Sequence, residues 1–263
     1  MGIFDVLHER VYDFIMIFAR LSAMLAFAPV FGANNIPGSI KAMFAFVLSV
    51  MFTTFLHPVG EAVAPNGVGL VIQLAGEATI GAAIGFVATL IFEIIIFAGY
   101  IIDYMIGFGF INIVDPQSGT SISIFAFFYS FLTLLLFLLV DAHHVLIEVM
   151  VRSYELIPVF GADITLFSIN HLMRMVSAIF YVGFQIASPI FIIMFTIDFT
   201  LGLISKTMPQ LQIIVIGFPI KISVGLIAMG IILKPTIIFI MSLLTEYRDN
   251  LLWMMKYFGG GGT

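Results

Sequence analysis

Residues 68–102 read VGLVIQLAGEATIGAAIGFVATLIFEIIIFAGYII, an apolar run in which Glu77 and Glu93 are the charged residues. As a straight helix this run would be about 50 Å long, whereas the hydrocarbon core of a bilayer is about 30 Å thick. It is too long for one span and too short for two spans with a turn. The run therefore predicts a helix that tilts strongly, bends into a hairpin of short helices, or extends beyond the bilayer into a protein environment.

The composition of the whole chain is that of a membrane protein. Of 263 residues, 62% are hydrophobic and 10% are charged, and the mean hydropathy is +1.19. Soluble domains carry about a quarter charged residues. Further apolar runs lie at residues 11–31, 40–59, 122–140, 174–204 and 219–244, which leaves room for about five or six spans. None alternates with period two, so we expect an all-α membrane protein.

Several classes of site are excluded by composition. The absence of cysteine rules out disulfides, thiolate metal sites and a cysteine nucleophile. The net charge of -5 without a basic cluster argues against nucleic acid as a partner. No signal-peptide pattern is present at the start, so we expect the mature chain to begin at or near Met1. Residues 259–263 resemble a linker or a disordered tail.

Ionisable residues lie inside the apolar runs, where each would cost about 2.5–3.5 kcal/mol or more if it faced lipid. They are Arg20, Glu77, Glu93, Asp198, Lys221 and Lys234. Prolines at positions 29, 189, 219 and 235 are expected to interrupt helices, and such breaks need neighbouring protein. Both features favour a subunit of a larger complex. A self-contained transporter that pairs these charges internally is the alternative.

Glu77, Gly81, Gly85 and Glu93 follow one ridge of the predicted helix. The ridge drifts by about 40° per four residues, so the two glutamates point about 160° apart and cannot share one site on a straight helix. The glycines predict close approach of another helix, either within this chain or from another subunit. We expect Glu77, Glu93 and Lys221 to be paired between subunits, because each would be costly unpaired.

Two polar segments follow. Residues 141–148 read DAHHVLIE, which admits a metal or proton-relay interpretation, but the pattern is not HExxH and polar residues closing an apolar helix at the membrane boundary explain it better. We therefore predict no metal site and no cofactor. Residues 206–221 join the last two long helices, and Pro209 and Pro219 are expected to limit the tip of this hairpin.

Residues 107–120, GFGFINIVDPQSGT, combine flexibility with apolar bulk. Irregular backbone at membrane depth survives only where it is buried in protein or lines an aqueous cavity. This composition predicts a movable pore plug or pore lining, and an interfacial loop is the alternative. The residues assigned to the plug are Gly107, Phe108, Gly109, Phe110, Ile111, Ile113, Val114, Asp115 and Pro116.

The order of several short motifs resembles the FliR/SctT family of type III secretion export-gate proteins, most closely its flagellar branch. The motifs are Arg20 through Pro29-Val-Phe-Gly32, Glu77 with Gly81 and Gly85, Asp115-Pro116, Asp141-Ala-His-His144, and Pro209 followed by Gly217-Phe-Pro219-Ile-Lys221. The resemblance runs from about residue 12 to residue 244. Family members often have glycine at the position of Ala142, which is a minor departure.

The resemblance implies a FliP-like portion over residues 1–170, a FliQ-like helical hairpin over 171–245 and a tail over 246–263. It further implies an inner-membrane gate in the flagellar basal body, in which one copy of this chain joins five FliP and four FliQ, with FlhB near the hairpin tips. Such a gate exports unfolded rod, hook and filament proteins, and the plug corresponds to the loop that begins at Gly107. The chain would then not be an enzyme.

Three alternatives remain at this point. A secondary transporter of a small solute would place Glu77, Glu93 and Asp198 around a midplane site and work alone. A virulence-type member of the same family would serve another secretion system. An intramembrane hydrolase would need a catalytic set, for which His143 and His144 are the candidates and nothing else completes it.

Overall fold

The computed structural model describes residues 3–29, 36–55, 67–110, 123–157, 169–208 and 213–258. These ranges contain α1 (Ile3–Phe27), α2 (Gly38–Phe55), α3 (Gly67–Ile106), a 3-10 turn (Phe108–Phe110), α4 (Ile124–Leu139), α5 (Ala142–Leu156), α6 (Ile169–Thr207) and α7 (Ile213–Phe258). No strand occurs in the described ranges. The predicted all-α fold class is confirmed.

The long apolar run forms one helix. α3 has 40 residues, which corresponds to about 60 Å of helix. The helix is continuous, so the hairpin that the sequence also allowed does not form. A strong tilt or an extension beyond the bilayer accounts for the excess length, because the helix is about twice as long as the hydrocarbon core is thick.

The prolines interrupt fewer helices than predicted. Pro29 follows the end of α1, but Pro189 lies within α6, and Pro219 and Pro235 lie within α7. Because Pro189 has no N–H, the carbonyl of Gln185 loses its helical partner. The hydroxyl of Ser188 donates to that carbonyl at 2.8 Å. A neighbouring side chain thus satisfies the freed group, which is one way in which membrane helices tolerate proline.

The boundaries at the C-terminal side differ from the predicted ones. α6 ends at Thr207 and α7 begins at Ile213, so Pro219 does not limit the hairpin tip. α7 continues to Phe258, so residues 246–258 of the predicted C-terminal tail are helical. Leu251 is buried, and Arg248 Nη2 lies 2.6 Å from Glu148 Oε1 on α5. Residues 259–263 lie outside the described ranges.

Among the residues that the structure describes, four helices are long and apolar enough to cross a membrane. They are α2, α3, and the stretches of α6 and α7 over residues 173–207 and 216–249. The count rises to five if α4 and α5, which meet at a bend of 67°, form one broken span. The sequence predicted five or six. α1 is not among these helices, and it carries Arg10, Asp13 and Arg20.

The chain divides into two compact units. The first comprises Met1–Leu90, Asp141–Leu172 and Glu246–Thr263, and the second comprises Ile91–Val140 and Met173–Thr245. Each unit is assembled from separate stretches of sequence, and α3 contributes to both. The predicted division into a FliP-like portion over residues 1–170 and a FliQ-like helical hairpin over 171–245 stays a prediction.

Candidate functional sites

The first unit holds a buried ion pair. Arg20 on α1 is 0% exposed and Glu77 on α3 is 2% exposed. Arg20 Nε donates to Glu77 Oε2 at 2.6 Å. Two charges removed from water are tolerated when they are paired at short distance and their other polar atoms are hydrogen-bonded. The sequence identified both residues as costly in an apolar run but did not pair them.

The remaining polar atoms of Arg20 are satisfied by α5 and the residue that follows it. Arg20 Nη1 donates to Ser153 Oγ at 3.0 Å, and Nη2 donates to the carbonyl of Ile157 at 3.2 Å. The guanidinium carbon also lies 4.1 Å from the centre of the Tyr154 ring, a cation–π contact. Arg20 therefore joins α1, α3 and α5 through one side chain.

Gly81 and Gly85 let α1 and α3 approach each other at this ion pair. A Cβ atom at Gly81 would overlap the backbone carbonyl of Arg20, and one at Gly85 would lie 2.5 Å from the carbonyl oxygen of Met24. The close approach of a helix is thus made by α1 of the same chain. The partner of Glu77 is likewise Arg20 of the same chain, so Glu77 does not need the counterion from another subunit that the sequence analysis invoked.

The second unit holds another ion pair, between the two long C-terminal helices. Lys221 Nζ on α7 lies 2.8 Å from Asp198 Oδ1 on α6. Lys221 therefore also has a partner within the chain, although it was expected to pair with another subunit. Glu93 on α3 and Lys234 on α7 are exposed, and neither forms an ion pair with a residue in the described ranges.

The described part of the candidate plug is its first four residues. Gly107 has φ of +105°, a conformation that favours glycine. A Cβ atom at this position would lie 3.2 Å from the ring of Phe218. The ring of Phe108 meets that of Phe125 at 5.7 Å in an edge-to-face arrangement. Phe110 ends the 3-10 turn that contains Gly109. Ile111, Ile113, Val114, Asp115 and Pro116 lie outside the described residues.

Sequence reasoning missed Asp103, which lies in the last turn of α3 and is 3% exposed. Its Oδ1 accepts from the backbone N–H of Phe125 at 3.5 Å, and the carboxyl group also interacts with the Ser123 hydroxyl and the N–H of Ile124. A signal was present: Ser123 directly before an apolar run is typical of a helix N-cap. The position of an acid next to that cap was not visible from the sequence.

Asp141, His143 and His144 come together at the start of α5, with one ligand atom from each within 4.8 Å of the others. Asp141 has φ of +55°, and His144 Nδ1 lies 3.7 Å from Asp141 Oδ1. Three protein ligands leave the coordination sphere of a cation incomplete. The partial positive charge at the N-terminus of α5 also disfavours a cation at this place. No other such group of three occurs in the described ranges.

The fold and these sites define an all-α membrane protein in which two ion pairs, Arg20–Glu77 and Lys221–Asp198, join helices of one chain. The chain belongs to the bacterial export proteins, family 1, whose family model matches residues 11–247.

Individual relatives are similar over nearly the whole chain. A flagellar biosynthetic protein FliR from Bacillus subtilis is 32% identical, with 91% of this chain and 94% of the relative covered. Proteins of the same name from Pectobacterium carotovorum and Escherichia coli are 31% and 29% identical, over 92% and 80% of this chain and of the relatives. The identification as a member of the FliR/SctT family is thereby confirmed.

Proposed function

We propose that this chain is a structural subunit of the flagellar type III secretion export gate. The observation that carries the proposal is the similarity, at 32% identity over 91% of the chain, to a protein named flagellar biosynthetic protein FliR. The relatives compared above bear that flagellar name, which favours a flagellar over a virulence system. The chain makes and breaks no covalent bond in this role.

In the proposed assembly one copy of this chain joins five FliP and four FliQ in the bacterial inner membrane at the base of the flagellum, and FlhB binds near the hairpin tip. Glu93 and Lys234 support a proteinaceous environment, because both are exposed on helices that could cross a membrane. An ionised side chain at that depth would cost about 2.5–3.5 kcal/mol or more against lipid. Residues of the neighbouring subunits would supply the missing partners.

The loop that begins at Gly107 would seal the resting gate. Phe108 and the apolar residues that follow it would exclude water and ions, and an unfolded flagellar rod, hook or filament protein would displace them during export. The energy for export would come from the proton-motive force and an export ATPase through other subunits. The chain itself would complete the ring of the gate and carry the seal.

The experiment is deletion of residues 108–118 from the chain co-expressed with its partners. We expect resting membranes to leak ions and small solutes, measured by dye influx, while the purified gate keeps its composition. The control is a chain in which two polar residues of the same segment are replaced, Gln117→Ala and Ser118→Ala. Resting membranes with this chain should stay impermeable to the dye. Unchanged permeability with a normally assembled gate would reject the loop as the seal.

A further inference from the structure

Asp103 occupies a place where two chain segments converge. Its side chain belongs to the last turn of α3, and its hydrogen-bonding neighbours, Ser123, Ile124 and Phe125, form the start of α4. Residues 107–122, which contain the proposed seal, connect these two places in the sequence. One carboxyl group therefore bridges the points where that segment begins and ends.

The chemistry of the contact suits an acid. The first N–H groups of a helix have no partner within the helix, and the helix dipole places a partial positive charge there. Ser123 caps α4, since its Oγ accepts from the N–H of Ala126 at 3.1 Å. With its oxygen used as an acceptor, the Ser123 hydroxyl keeps its proton for the Asp103 carboxyl group. Asp103 thus extends the N-cap of α4 onto α3.

Two apolar contacts hold the same junction. A Cβ atom at Gly99 would lie 2.5 Å from the Cα atom of Ala126, so the backbones of α3 and α4 touch directly. Beyond Asp103 in the sequence, the rings of Phe108 and Phe125 meet at 5.7 Å. Both contacts therefore join the same two segments as the hydrogen bonds of Asp103, which is 3% exposed.

We propose that Asp103 is a positioning residue that fixes the end of α3 to the start of α4, so that this junction stays closed while protein passes through the gate. The inference rests on the proposed export function. It specifies which part of the chain does not move: α3 and α4 do not separate at Asp103 during export. The Asp103 side chain touches no substrate in this account and acts through the backbone of α4.

Hydrogen exchange of the first N–H groups of α4 gives a direct test that leaves the seal residues unchanged. We expect the N–H groups of Ile124 and Phe125 to exchange equally slowly in the resting gate and in a gate that holds a stalled flagellar substrate, because the junction stays closed in both. Faster exchange of these groups in the gate that holds the substrate would show that the junction opens and would overturn the proposal.

The role of Asp103 itself is tested by the same measurement. Asp103→Ala should speed exchange of these N–H groups about tenfold, because it removes the buried carboxylate that accepts from the Phe125 N–H. Asp103→Asn keeps an accepting oxygen and should give an intermediate exchange rate, whereas Asp249→Ala, at an exposed acid on α7, should change nothing. An unchanged exchange rate in Asp103→Ala would refute the assignment, provided that the assembled gate is recovered.

The outcome separates this inference from the proposed function. If deletion of residues 108–118 causes a leak but Asp103→Ala alters neither N–H exchange nor permeability, the inference fails and the seal stands. If the deletion causes no leak while Asp103→Ala speeds N–H exchange, the junction is real and the seal is wrong. Asp103→Ala is expected to raise dye influx only if the loop is the seal.

Discussion

Removing one partner of the Arg20–Glu77 pair should destabilise the chain far more than removing both. In Glu77→Leu, the guanidinium stays fully buried with its bonds to Ser153 and Ile157 but without a counterion. In Arg20→Met, the carboxylate of Glu77 stays buried without its cation. Breaking a buried pair in this way costs about 3–5 kcal/mol.

The double variant Arg20→Met/Glu77→Leu leaves no buried charge at this site. The Ser153 hydroxyl keeps its hydrogen bond to the carbonyl of Met150, whereas the Ile157 carbonyl loses the guanidinium, at a cost of about 1–3 kcal/mol. The two single losses would sum to about 6–10 kcal/mol, so the double variant should be more stable than additivity predicts by about 3 kcal/mol or more. That coupling is two orders of magnitude in the unfolding equilibrium constant.

The assay is a denaturant titration of the purified gate in mild detergent, with unfolding of this chain followed for the wild type, both single variants and the double variant. The matched control is the exposed pair of Glu148 and Arg248, where the same cycle should show little coupling because solvent screens exposed charges. Additive losses at Arg20 and Glu77, equal to those of the control cycle, would refute the account of α1, α3 and α5 as joined by this pair.

Three further variants follow from the described contacts. Gly81→Ala should lose about 1–3 kcal/mol of stability, because the new Cβ atom overlaps the α1 backbone. The control Gly230→Ala, whose Cβ atom would meet nothing within 4 Å, should be neutral or gain about 0.5–1 kcal/mol. Thermal unfolding measures both changes. Gly107→Ala should cost about 1–3 kcal/mol through its positive φ, while Gly109→Ala, with only ordinary contacts at 3.7 Å, should unfold like the wild type in the same denaturant titration. Lys221→Met should lower the amount of assembled gate recovered on a sizing column, because it leaves Asp198 without its counterion. Neutralising Asp198 as well should restore the amount of assembled gate. If the double variant does not restore the gate, Lys221 has another role.

The sequence predicted which charges needed partners but not the partners. An ionised group in an apolar run is costly wherever it lies, so Arg20 and Glu77 were identifiable from composition alone. The two residues lie 57 positions apart in the sequence. Their pairing depends on the close approach of α1 and α3 at Gly81, which is a tertiary contact. Glycine spacing indicated a close approach but carried no information on whether the second helix was in the same chain.

Helix continuity was the less predictable part of the fold. Pro189 removes a hydrogen bond, and the rule that proline ends helices predicted a break. α6 nevertheless continues through Pro189, and the Ser188 hydroxyl donates to the freed carbonyl of Gln185, a contact that the rule does not include. Asp103 was not identified from the sequence either, because the sequence does not show that the start of α4 lies beside it.

Native mass spectrometry would show whether this chain works as one subunit of an export gate. The tagged chain would be expressed from its own operon with its neighbours and purified in mild detergent. We expect a complex that contains one copy of this chain and several copies of two smaller membrane proteins. A stable, monodisperse monomer or homodimer would refute the export-gate function and favour a stand-alone transporter.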